Sequence, residues 1–87
     1  AVEVGSTSEA LEAAKAGADI VLLDNFTPQG ALSAAAEVKA AHPQVTVEVS
    51  GGINMEVLPH FLGSHIDVIS MGCLTHGATS LDFALRL

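Results

Sequence analysis

IVLLDN at residues 20 to 25, VTVEVSGGI at 45 to 53 and DVISMGCLTH at 67 to 76 share one design. Each is an apolar, β-branched run that closes on a polar or glycine-rich group. Runs of this kind are near-continuous rather than alternating, the pattern of strands buried on both faces of a parallel sheet. In parallel α/β folds the carboxyl ends of the strands converge on one ligand site, in open sheets and in barrels. The chain therefore brings Asp24, then Ser50-Gly51-Gly52, then the segment from Gly72 to His76, to one rim. Carboxylates beside glycine-rich backbone point to a phosphorylated ligand with a metal ion.

Between these runs lie helix signals. Residues 2 to 4 are a short first strand, and Ser6 with Glu9 three residues later offers a capping box for the alanine-rich helix that Gly17 stops. Residues 20 to 24 are the second strand. Thr27-Pro28 supplies a cap and a first-turn proline for a helix reaching roughly Ala41. Residues 45 to 49 form the third strand. Asn54 is placed to cap a short helix ending near Gly63, with Pro59 in its first turn or distorting it. Residues 67 to 71 form the fourth strand. Asp24 and Ser50 are 26 residues apart, and Ser50 and Gly72 are 22 apart, a regular βα spacing that suits a half-barrel or a doubly wound sheet. At the end, Leu81, Phe83, Leu85 and Leu87 alternate with Asp82, Ala84 and Arg86. Leu and Ala also favour a helix, but Leu81, Phe83 and Leu85 would then spread around its circumference. The period of 2 therefore predicts an amphipathic strand over 81–87 that leaves residues 1–80 and pairs with a sheet outside the chain.

Composition limits the reading further. Eighty-seven residues are few for a parallel α/β domain, and 49% are apolar while only 3% are aromatic. A core of Ala, Val, Leu and Ile follows, with apolar surface left over for something else, which marks the chain as a piece of a larger protein or a subunit needing partners. Three basic against ten acidic residues give a formal charge of −7. Nucleic acid and anionic membranes require Lys/Arg clusters and are excluded as partners of this segment. A phosphate site also wants cations, and only Lys15, Lys39 and Arg86 are present. The rest are expected from elsewhere in a longer chain. A lone Cys73 and the lack of a leader or spanning run predict an intracellular, cytoplasmic protein.

Glu3 and Asp24 are 21 residues apart at the ends of neighbouring strands, so both carboxylates can face one ligand. Hard oxygen donors of this kind hold Mg²⁺ alongside a substrate's own oxygens, or accept hydrogen bonds from ribose hydroxyls. The plainer alternative makes Asp24 a turn cap and Glu3 a solvated edge residue. Glycines at 51, 52 and 72 let main-chain N–H groups approach phosphate oxygens, or merely turn the chain tightly. Of the four histidines, His76 alone sits in a strand-end loop, while His42, His60 and His65 are surface residues without metal-ligand spacing. Cys73 has no evident base and fits a small buried thiol. Glu48 is flanked by Val47 and Val49, and an inward carboxylate there needs a cation or hydrogen bonds.

The segments VEV at 2 to 4, AKAGAD at 14 to 19, LLDNF at 22 to 26, VEVSGGI at 47 to 53 and HIDVISMGCLTH at 65 to 76 resemble the carboxy-terminal part of quinolinate phosphoribosyltransferases. The likeness spans the chain, includes the final LDFALRL, and looks closest to animal forms. It implies the carboxy-terminal half of a TIM-like βα barrel, with the last strand returning to a separate α/β domain. It also implies a glycosyl transfer that joins quinolinate to phosphoribosyl pyrophosphate, giving nicotinate mononucleotide, pyrophosphate and CO₂. Carried over, Glu3 and Asp24 match the acidic pair near the ribose and Mg²⁺. Ser50, Gly51, Gly52 and Gly72 match the 5-phosphate loops, and His76 a histidine beside them. The family's clamp for the quinolinate carboxylates comes from earlier strands and a neighbouring subunit, which implies a homo-oligomer and a chain inactive by itself. Where family loops read EASGGI and THSAPALD, this chain has EVSGGI and THGATSLD. Two other readings stay open: another phosphate-binding βα-barrel enzyme of aldolase or epimerase type, and a non-enzymatic α/β assembly module. An aldolase-type lysine on a strand is absent.

Overall fold

A computed structural model describes residues 1–51, 53, 56–63, 65–74 and 80–87, with side chains of 72–74 and 80–83 left aside. Four strands, β1 (Val2–Val4), β2 (Ile20–Asp24), β3 (Thr46–Ser50) and β4 (Val68–Leu74), lie parallel in chain order, and β5 (Ser80–Arg86) follows antiparallel to β4. Helices α1 (Thr7–Lys15), α2 (Pro28–Ala41) and the short α3 (Leu58–Phe61) connect the parallel strands. Crossovers of one hand between strands laid down in sequence place their helices on one side of the sheet. A doubly wound sheet would reverse its strand order; this one does not, and its winding is that of half a βα barrel.

Local chemistry sets the helix ends. Ser6 Oγ accepts the Glu9 amide at 3.2 Å, and Glu9 Oε1 in return accepts the Gly5 amide at 2.9 Å, one residue earlier than a standard capping box. At the other end, Ala18 N–H reaches Ala13 O and Gly17 N–H reaches Ala14 O, both at 3.1 Å, with Gly17 at φ +101°. This is a Schellman stop, and it explains the glycine. Thr27 Oγ1 accepts the Gly30 amide at 3.1 Å behind Pro28. For α3 the expected cap, Asn54, lies outside the described residues; the helix begins after Val57, without a side-chain cap, and holds Pro59 in its first turn.

Burial alternates along β2 and β3, while in β4 the successive residues Val68 and Ile69 are both buried. Val21, Leu23, Val47, Val49 and Ile69 are fully buried and pack with Ala10, Ala14, Ala31, Ala34, Ala35 and Val38 of the helices. Alanine at the helix contacts lets α1 and α2 sit close on β-branched strand residues, so a core nearly free of aromatics still packs. The opposite face carries Glu3, Leu22, Asp24, Glu48 and Ser50, all exposed or half-buried. Helices cover one face, as expected of a parallel sheet, and no described element covers the other. Glu48 lies on that face, half-buried, in one row with Leu22 and Val68.

Two further differences concern the end of the chain. β4 runs on to Leu74, so Gly72 is a strand residue opposite Asp82 rather than part of a loop after the strand. The strand expected near residue 81 is present, but its partner is β4, from Val68↔Arg86 to Leu74↔Ser80. A hairpin is the nearest partner available to an apolar, alternating segment that follows a strand directly. β5 remains an edge strand of the sheet.

Candidate functional site

The parallel register sets Asp24 of β2 directly beside Ser50 of β3. Ser50 Oγ donates to Asp24 Oδ1 at 3.4 Å, a long hydrogen bond that leaves most of the carboxylate's acceptor capacity unspent. Both side chains are half-buried on the open face. The ladder continues one step past the strands, where the Asn25 amide donates to Ser50 O at 3.2 Å. Asn25 itself has φ 59°, the only non-glycine residue with positive φ among the described residues.

Gly51 follows Ser50 at φ +92°. A Cβ there would meet Asn25 Oδ1 at 2.7 Å, the Asn25 amide nitrogen at 2.9 Å and Asp24 Oδ1 at 3.0 Å. Its missing side chain is therefore required by the two strand ends packed against each other, whatever its amide binds. Gly52 and His76 lie outside the described residues, as do the other residues from 75 to 79. Cys73 and Gly72 are described by backbone alone, within β4.

Glu3 stands opposite Leu22, two residues short of Asp24 along the neighbouring strand. It does not end its strand, as its spacing predicts, but occupies the centre of β1, on the same face as Asp24 and diagonal to it. The next row of the open face reads Glu3, Leu22, Glu48, Val68, Arg86 from strand to strand. No group of three potential metal-binding side chains assembles among the described residues. Two carboxylates on one face nonetheless suit Mg²⁺, which takes one or two carboxylates and fills its octahedron with water and substrate oxygens.

The chain's cations all lie away from this rim. Lys15 and Lys39 occupy the last turns of α1 and α2, which run back to the amino ends of the strands. Arg86 faces Val68, at the amino end of β4. Lys39 Nζ is bound to Asp67 Oδ2 at 2.7 Å, and the same oxygen accepts the Val47 amide at 2.8 Å. Burial pushes the Asp67 carboxyl up, but the Lys39 hydrogen bond, the Val47 amide and the charges of Lys39 and Arg86 outweigh it and hold the group below the usual carboxylate range. The strand carboxyl ends are anionic, and the amino ends hold the cations. His60 and His65 are exposed and His42 half-buried, in keeping with surface roles.

Sequence reasoning missed Asn25 and the Lys39–Asp67 pair. An Asn directly after a strand-ending Asp is a readable cue, since Asn tolerates the left-handed region. Nothing in the spacing of Lys39 and Asp67 marks them as partners.

One-sided βα winding with polar strand ends defines the class: a barrel-type α/β protein. Within it, the chain belongs to the family described as quinolinate phosphoribosyl transferase, C-terminal domain, whose model matches residues 1–86. It is similar to the nicotinate-nucleotide pyrophosphorylase (carboxylating) of Homo sapiens, 57% identical over 86 residues, covering 99% of this chain and 29% of that protein. The Rattus norvegicus protein of the same description is 55% identical over the same share. A probable enzyme of that description from Archaeoglobus fulgidus is 46% identical over 88 residues, covering 99% of this chain and 34% of its own length. The chain thus spans about a third or less of the curated relatives it matches. No helix among the described residues is long and apolar enough to cross a membrane.

Proposed function

We propose that these residues form the ribose- and phosphate-facing side of the active site of a quinolinate phosphoribosyltransferase, a pentosyltransferase of NAD biosynthesis. The full-length protein joins quinolinate to phosphoribosyl pyrophosphate. The pyridine nitrogen bonds to the anomeric carbon, the bond from that carbon to pyrophosphate breaks, and the 2-carboxylate leaves as CO₂ with a proton taken up in its place. The observation that carries the reading is the pairing of Asp24 with Ser50 beside Gly51, three groups of different chemistry at one rim.

Asp24 and Glu3 face the ribose, where positive charge develops as pyrophosphate departs, and they are the residues that would hold Mg²⁺. When bound, that ion supplies charge neutralisation for the leaving group. Ser50, Gly51 and Gly52 hold the 5-phosphate through hydroxyl and main-chain donors, joined by Gly72 of β4 and by His76. Because the rim has no lysine or arginine of its own, the phosphate and quinolinate cations come from other segments or from a second subunit of a cytoplasmic homo-oligomer. Residues 81–87 join this half-barrel to the amino-terminal domain. Calorimetric titration of the full-length protein with phosphoribosyl pyrophosphate and Mg²⁺, paired with product detection, tests the reading. Formation of nicotinate mononucleotide, with binding weakened by Asp24→Asn, is expected. An inert full-length protein would overturn it.

A further inference from the structure

Asn25 is used by neither the fold's core nor the proposed chemistry, yet it adopts a backbone conformation that most residues avoid. It is exposed, so burial does not force the conformation. Its amide closes on Ser50 O at 3.2 Å, while its Oδ1 and nitrogen occupy the space over Gly51. The left-handed turn at Asn25 thus sits between the carboxylate of Asp24 and the loop opened by Gly51, and touches both strand ends. An extended or right-handed residue here would carry the chain away from Ser50 and release the contact with Gly51.

We infer that Asn25 is a positioning residue: its left-handed backbone fixes the Asp24 carboxylate relative to the Ser50-Gly51 loop, and so sets how the phosphoribosyl substrate lies between them. Residues that tolerate φ near 60° should preserve the site, and residues that do not should loosen it, whatever their size. This inference rests on the function proposed above.

The test uses the full-length protein in four forms: wild type, Asn25→Gly, Asn25→Ala and Asn25→Val. Glycine keeps the left-handed turn freely available, alanine strains it, and a β-branched valine opposes it most. Asn25→Val should lower kcat/KM for phosphoribosyl pyrophosphate by about tenfold or more, with Asn25→Ala between. Asn25→Gly should stay within about threefold of wild type. KM for quinolinate should move less than about twofold in all, a split that a general loss of stability would not produce. Rates are referred to folded enzyme by a melting curve for each variant, and if Asn25→Val does not fold, Asn25→Ala against Asn25→Gly decides. Equal losses in glycine and alanine variants, or no loss in either, overturn the inference while an active wild type leaves the proposed reaction standing. A wild type that makes no nicotinate mononucleotide removes both.

Discussion

Asp67 offers a perturbation whose cost can be worked from its contacts. Asp67→Ala in the full-length protein removes two interactions of one oxygen, the Lys39 pair at 2.7 Å and the Val47 amide at 2.8 Å. The Asp67 side chain is 36% exposed, so the ion pair is screened and contributes about 0.5 kcal/mol. Leaving the partly buried Val47 N–H without its acceptor costs about 1 to 2 kcal/mol. The sum is about 2 kcal/mol, or about 3 °C in Tm for a chain of roughly 300 residues at about 2.1 cal/mol/K of unfolding entropy per residue. Asp67→Asn keeps an oxygen acceptor for Val47 and should lose only the smaller part. The folded carboxyl is held below its ordinary value, so its contribution is present above the unfolded pKa and disappears as pH falls through the lowered folded one. Wild type and Asp67→Ala should therefore converge in acid. Differential scanning calorimetry across pH gives the melting values, and steady-state kinetics per folded enzyme should show unchanged KM for both substrates, because this end of the sheet is opposite the candidate site. An alanine variant melting within about 1 °C of wild type at neutral pH would refute the assignment. So would a Tm penalty as large for asparagine as for alanine.

Asp24→Asn keeps shape and removes charge from the rim, and kcat should fall on the order of 10²-fold at saturating Mg²⁺. Activity within about twofold of wild type would return Asp24 to a turn-capping role. Gly51→Val should weaken phosphoribosyl pyrophosphate binding in calorimetry, and it should also lower Tm, because the new Cβ meets the Asn25 backbone at 2.9 Å. Unchanged affinity would remove the loop from the site. Residues 1–87 expressed alone should be oligomeric, aggregated or molten and inactive, since no described element covers one sheet face and Val2 and Ile20 are 42% and 36% exposed. A monodisperse monomer with a cooperative melt that forms product would contradict this.

Periodicity and capping chemistry make the elements legible in the sequence. The Ser6–Glu9 box, the Gly17 stop and Thr27-Pro28 act within a turn of chain, so sequence order alone places them. The parallel βα order was equally readable, because apolar runs of strand length alternate with helix signals. Strand limits slipped by a residue at β3, and β4 outran its expected end, because pairing with β5 extends it through Gly72 to Leu74. The site was legible as residue types, since Asp24, Ser50 and Gly51 each close a run. What it lacked was register.

Register is a tertiary quantity. The sequence by itself determined which residues end strands, which cap helices and that cations are scarce, since each depends on neighbours along the chain. Only the assembled sheet decided that Asp24 meets Ser50 and that Glu3 stands two residues short of Asp24. It alone placed Asp67 where it can take the Lys39 ammonium and the Val47 amide together. It likewise decided that Gly51 is glycine because Asn25 fills its Cβ position. Those facts join residues 20 or more positions apart, and their relative placement is fixed by helices packing on one face of the sheet, which no local pattern encodes.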